Sequence, residues 1–270
     1  MKIIAETASN HMGEIEYLKE LSLECSRAGA HMITVQVLNL DSFVTKYDKK
    51  SYSNFLKVHI AADVWIEYFD WCKEKKICIL PCILDYPSAK LCFDYGFDTV
   101  KIHASDIINH DFLSYVNQSF GKVFLEFGGA NLNEISSALK ILDNCEVILL
   151  YGFNAYPTKI ENQNLNFLKS LENLFDCKTG FADHSIDNDI IPLLAMAKGA
   201  IFLEKHVTID SKNENRFDWQ VSIEPNSLKK LIEKIDYYRP ALGEPLRQIS
   251  ESEKNFRKFV YKKIIAKKDL

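Results

Sequence analysis

Strand-length apolar runs alternate with helix-length amphipathic stretches along the whole chain, and this order limits its fold more than any single motif does. Residues 2–6 are followed by 15–28, where Ile15, Leu18, Leu21 and Cys25 share a helical face that stops at Gly29. The pairing recurs as 32–37 with 62–75, 77–84 with 88–95, 99–102 with 111–116 and 123–127 with 132–142. It continues as 147–151 with 165–175, 179–181 with 189–197 and 201–206 with 227–238. That makes about eight βα units, the number that closes an α/β fold into a (β/α)8 TIM barrel, and apolar runs without strict alternation suit parallel strands covered by helices. An open doubly wound sheet is the competitor, but Thr7-Ala8-Ser9-Asn10 after the first run is not a glycine-rich phosphate loop. The predicted barrel covers residues 1–245, with 41–57 as a long polar and aromatic loop over its mouth.

Composition narrows the classes. The 270 residues carry a net charge of -4 with 47% hydrophobic and 26% charged residues, enough apolar material for one large core. Mild acidity with both signs interspersed predicts no nucleic-acid partner, which would need a clustered basic patch. No stretch approaches the roughly 18 apolar residues of a membrane span, so no membrane partner is expected. Seven scattered cysteines without a C-x-x-C pair read as reduced thiols in a cytoplasm.

The polar residues fall where a barrel keeps its chemistry, at the C-terminal ends of the strands. They are Glu6, Gln36, Asp85, Lys101 with His103, Glu126, Asn154 with Tyr156, Asp183 with His184, and Glu204 with His206. His184 and His206 follow adjacent strands, so their imidazoles can converge on one divalent ion that keeps open positions for substrate or water. Glu6, Asp183, Glu204 and Asp218 are carboxylates able to ligate it, orient the imidazoles or move protons. Lys101 reads equally as an anion-binding cation, a Schiff-base nucleophile or an ion-pair partner of Glu126. Cys82, at a strand end, is the cysteine whose thiolate would face this site.

These motifs resemble the sialic acid (N-acetylneuraminate) synthase family of nonulosonic acid synthases. Residues 5–13 (AETASNHMG) look like the family's A-E-I-G-x-N-H-x-G, 180–185 (GFADHS) like G-x-S-D-H-T, and 203–208 (LEKHVT) like L-E-K/R-H-F-T. Residues 154–158 (NAYPT) match N-x-Y-P-T, and the end of the chain, AKKDL, is similar to the linker that precedes an antifreeze-like domain. The resemblance implies a TIM barrel, with residues 246–270 as that linker and the antifreeze-like domain itself not included. It implies condensation of phosphoenolpyruvate with an N-acylated amino sugar in cell-surface carbohydrate biosynthesis, with Mn²⁺ or Mg²⁺ as cofactor. In that reaction C3 of the donor attacks the sugar aldehyde, water adds at C2 and phosphate leaves by C–O cleavage. His184 and His206 are then metal ligands, Glu6, Lys101 and His103 catalytic, and Gln36, Glu126, Asn154, Tyr156, Asp183, Glu204 and Asp218 substrate-binding. The partners implied are the sugar, a pyruvate-type donor, and either a second copy in a homodimer or a separate chain carrying the antifreeze-like domain.

The sequence departs from the family pattern on one side of this site. A family lysine is Thr34, and family serines are Ala104, Glu126 and Ala182. Charge-assisted hydrogen bonds to a buried anion contribute roughly 1.5–3 kcal/mol each, so these replacements predict a much weakened phosphoenolpyruvate site. They leave open a divergent homologue that acts as a binding or regulatory partner, and a Schiff-base lyase using Lys101.

Overall fold

The computed structural model describes residues 1–153, 155–244 and 246–262. Its elements run β1 (Lys2–Glu6), α1 (Ile15–Arg27), β2 (Met32–Val37), α2 (Leu40–Phe43), α3 (Lys49–Leu56), α4 (Ala62–Glu74), β3 (Ile79–Ile83), α5 (Tyr86–Tyr95), β4 (Thr99–Ile102) and α6 (His110–Ser119). They continue as β5 (Lys122–Glu126), α7 (Leu132–Ile141), β6 (Glu146–Tyr151), α8 (Asn166–Phe175), β7 (Lys178–Asp183), α9 (Ile190–Ala197), β8 (Phe202–His206), α10 (Pro225–Tyr238) and α11 (Glu251–Val260). The eight strands form one closed parallel barrel, β1 pairing with β8 from Lys2 opposite Phe202 to Glu6 opposite His206. The predicted TIM barrel is the observed fold.

Side chains two apart on a strand share a face. Ile4, Leu80, Phe124, Ile148 and Phe202 therefore meet inside the barrel as an apolar plug, edged by Met32. One step toward the strand ends, the inward set turns polar, with Glu6, Lys101, Glu126 and Glu204 all buried. The outward set, including Ile3, Val35, Leu125 and Leu203, joins the helices' inner faces in the main core.

Two features differ from the expectation. The loop after β2 contains the short helices α2 and α3, started by Asn39 and Asp48, whose side chains accept from the amides of Ser42 and Ser51. The segment read as a linker contains α11, begun by a capping box between Ser250 and Glu253. The AKKDL motif lies outside the described residues, as does Asn154. No helix among the described residues is long and apolar enough to cross a membrane.

Candidate active site

A cavity of about 160 Å³ opens at the C-terminal end of the barrel. Glu6, Gln36, Lys101, His103, Glu126, Tyr156, His184, Glu204, His206 and Asp218 line it. Alternation explains this assembly: Glu204 and His206 share one face of β8, and Glu126 lies two residues beyond the plug residue Phe124.

Lys101 is the hub. Its Nζ donates to Glu6 Oε2 at 2.8 Å and Glu204 Oε1 at 2.7 Å, and lies 3.6 Å from Glu126 Oε2. Burial alone would lower its pKa, but Glu204, Glu6 and Glu126 outweigh burial and hold it well above the ordinary value. The side chain is therefore a fixed ammonium, which disfavours the Schiff-base reading, because only the neutral amine is nucleophilic. Burial pushes Glu204 up to about 8, reinforced by Glu6 and Glu126 and opposed by Lys101. Its Oε2 has no hydrogen-bond partner. Burial works against the charge of Glu126, but Lys101 outweighs it and lowers the carboxyl's pKa. Cys82 faces the same cluster, fully buried, and burial raises its pKa so far that it stays a thiol.

The two imidazoles stand beside this cluster with ring centroids 5.2 Å apart. Tyr156 packs on both, 4.4 Å from His184 and 5.6 Å from His206. Burial lowers both histidine pKa values, that of His206 well below the ordinary value, so both rings are neutral. His184 Nδ1 lies 3.0 Å from the carbonyl oxygen of Phe153, a contact that fixes the ring and leaves Nε2 free. Gly152 makes room beneath: a Cβ there would lie 2.9 Å from Ala182 Cβ and carbonyl oxygen and 3.4 Å from His184 Cε1.

Asp218 completes the wall. Its backbone is left-handed, with φ of 54°, and its Oδ2 lies 3.6 Å from His206 Nδ1. Burial, with Glu6, raises it to about 6. Its loop is tied down by Arg216, which donates to the carbonyl oxygen of Asn10 at 2.8 Å and lies 4.0 Å over the Tyr17 ring. Arg216 went unread in the sequence because its partners, the Asn10 carbonyl, the Tyr17 ring and the Glu14 carboxylate at 3.3 Å, all lie far along the chain.

Asp183 is a correction. It does not line the cavity; it is fully buried on the outer face of β7, where Lys205 Nζ donates to it at 2.9 Å and Ser185 Oγ at 2.6 Å. Its neighbour His184 has the opposite strand parity, so the two cannot share the inner face. Asp85 also belongs to structure rather than chemistry, capping α5 by accepting from the Ser88 amide at 2.7 Å.

The donor set fits a divalent metal. Two neutral imidazoles converge, one with its far nitrogen against a backbone carbonyl, the arrangement that orients metal-binding histidines, and buried His206 Nδ1 has no hydrogen-bond partner. Among the described residues no group of three His, Cys, Asp or Glu is gathered to hold an ion. His184 and His206 are the residues that would hold it.

A closed eight-stranded barrel with a polar mouth of paired imidazoles and a lysine–carboxylate hub defines a class of α/β-barrel proteins with an enzyme-like site. Residues 23–247 match the model of the NeuB family, and the chain belongs to that family. It is similar to N,N'-diacetyllegionaminic acid synthase of Campylobacter jejuni, 29% identical over 99% of this chain and 85% of that protein. It is similar also to pseudaminic acid synthase of Helicobacter pylori, 26% identical over 100% of this chain and 83% of that one. Among solved structures, N-acetylneuraminic acid (sialic acid) synthetase of Leptospira borgpetersenii, in complex with citrate, superposes with a TM-score of 0.87 at 28% identity, covering 97% of this chain and 92% of that chain.

Proposed function

We propose that this protein forms a carbon–carbon bond between an N-acylated amino sugar and phosphoenolpyruvate or a related pyruvate-type donor, in cell-surface carbohydrate biosynthesis in the cytoplasm. The observation that carries this reading is that Glu6, Lys101, Tyr156, His184, His206 and Asp218 all line one cavity. The homology to named synthases supports it. A homodimer, or a separate chain with an antifreeze-like domain, is part of the same proposal.

The side chains divide the work. Glu6 is anchored at both oxygens, Oε1 by the Ala8 amide at 2.7 Å and Oε2 by Lys101, so it presents a fixed carboxylate for positioning water and accepting its proton. Glu204, with Oε1 held by Lys101 and Oε2 without a partner, lines the cavity to hold or hand over a proton. Tyr156, whose hydroxyl stays protonated because burial and Glu126 raise its pKa, donates to a sugar hydroxyl. His103, with Nδ1 3.0 Å from Ser105 Oγ, and Gln36 stand at the mouth for the same ligand. His184 and His206 would hold Mn²⁺ or Mg²⁺, which when bound polarises the aldehyde carbonyl.

The test is release of inorganic phosphate from phosphoenolpyruvate and a panel of N-acylated amino sugars with Mn²⁺. Release above a metal-free control is expected, and none across the panel would sink the proposal. A second reading, a divergent homologue that binds a sugar without turning it over, is favoured by one observation. Four acidic side chains, Glu6, Glu126, Glu204 and Asp218, line the cavity with Lys101, which is the sole lysine or arginine among the described residues lining it. Sugar binding by calorimetry without phosphate release selects that second reading.

A further inference from the structure

The polar cavity does not end at the barrel mouth. A second space of about 330 Å³ adjoins it, sharing Gln36, His103 and Asp218 as common walls. Its remaining walls are largely apolar, chiefly Phe43 and Phe55 from α2 and α3, Leu84, and Phe217 from the loop before Asp218.

This wall is pre-formed. Phe43 and Phe55 meet edge to face at 4.7 Å, and both pack on a small core of Leu38, Leu40, Val58, Cys82 and Leu84. Across the gap, Phe217 belongs to none of the core clusters, makes no ring contact among the described residues and is 42% exposed. An aromatic ring turned toward an apolar wall with open space between them is a binding surface rather than packing. Size points the same way. Pockets for drug-sized molecules usually hold about 300–1,000 Å³, so the polar cavity at about 160 Å³ is small by that measure and the adjoining space more than doubles the room at the mouth. The shared walls Gln36, His103 and Asp218 give a ligand anchored there a continuous route into the adjoining space.

We propose that the substrate carries an apolar substituent larger than an acetyl group, and that the Phe43, Phe55, Leu84 and Phe217 pocket selects for it. This rests on the reading of the polar cavity as a sugar site.

Calorimetry of N-acetyl-, N-butanoyl- and N-hexanoylmannosamine with Mn²⁺ tests it. Affinity is expected to rise about fourfold per added methylene, the effect of burying each one, until the pocket is filled. The rise should flatten in Phe217→Ser, whose ring packs in none of the core clusters, and in Phe55→Leu, which keeps an apolar side chain against the small core. No gain from acetyl to hexanoyl, or a gain that both variants keep, overturns the proposal. Hexanamide, followed by saturation-transfer NMR, separates this idea from the sugar reading. Binding of hexanamide that Phe217→Ser abolishes, with no N-acylmannosamine bound, upholds the pocket and rejects the sugar. N-acetylmannosamine bound without any gain for longer chains rejects the pocket and leaves the sugar reading standing.

Discussion

Lys101 concentrates the electrostatics of the molecule. The Lys101 ammonium offsets part of the charge of the three glutamates around it, and removing it strands them in a low-dielectric interior. Lys101→Met is expected to lower unfolding free energy by about 3–5 kcal/mol in urea titrations near neutral pH, and adding Glu6→Gln should recover part of it. Glu126→Ser is expected to act oppositely on ligands. It removes a negative charge 3.6 Å from the ammonium and frees that face for an anion, so phosphoenolpyruvate should bind at least tenfold more tightly, roughly the effect of 1.4 kcal/mol. Unchanged affinity in calorimetry would show that Glu126 does not guard the anion site. His11 gives a pH prediction independent of this cluster. Burial, with Arg216, depresses it from 6.5 to about 4, so the folded state disfavours its protonation. The stability it supports is present above pH 6.5 and lost as pH falls toward 4, by about 3 kcal/mol in order of magnitude. His11→Asn should flatten that acid limb in thermal melts from pH 7 to 4.

At the scale of elements, much was legible in the sequence, because strand-length runs and helical periodicity carry the local pattern directly. The eight strands lie where the alternation predicted, their bounds differing by a few residues. Strand-end position also found the cavity, since Glu6, Gln36, Lys101, Glu126, Glu204 and His206 stand at or near the ends of their strands and point inward. Position without parity was not enough, and Asp183 shows why: one residue decides between the barrel interior and the helix layer. The apolar rim was invisible for another reason. Phe43, Phe55 and Phe217 sit in three separate stretches, and only the way α2, α3 and the loop after β8 fold over the mouth brings them together. Gly152 is the element-scale determinant most exposed to test. Gly152→Ala places a methyl against the β7 backbone, so a loss of at least about 1–3 kcal/mol is expected from overpacking. A shift in the His184 imidazole NMR signals should accompany it, and an unperturbed His184 would contradict the close approach.

For the whole molecule, closure of β1 against β8 has a consequence for how the protein comes into being. Glu6 emerges first, yet its ammonium partner lies 95 residues later, and the second carboxylate on that ammonium a further 103. His206 pairs across the seam with Glu6 itself. Contacts of such separation form slowly, because the loops they close must be ordered before the contacts reward it. A ribosome that has extruded seven strands therefore holds a chain with an open edge beside β1 and a half-built hub of buried charge. Such a nascent chain cannot hide its unpaired strand. The interval before the last strand emerges is when this protein most needs a chaperone, and translational pausing just after β7 should raise aggregation more than a pause anywhere past β8.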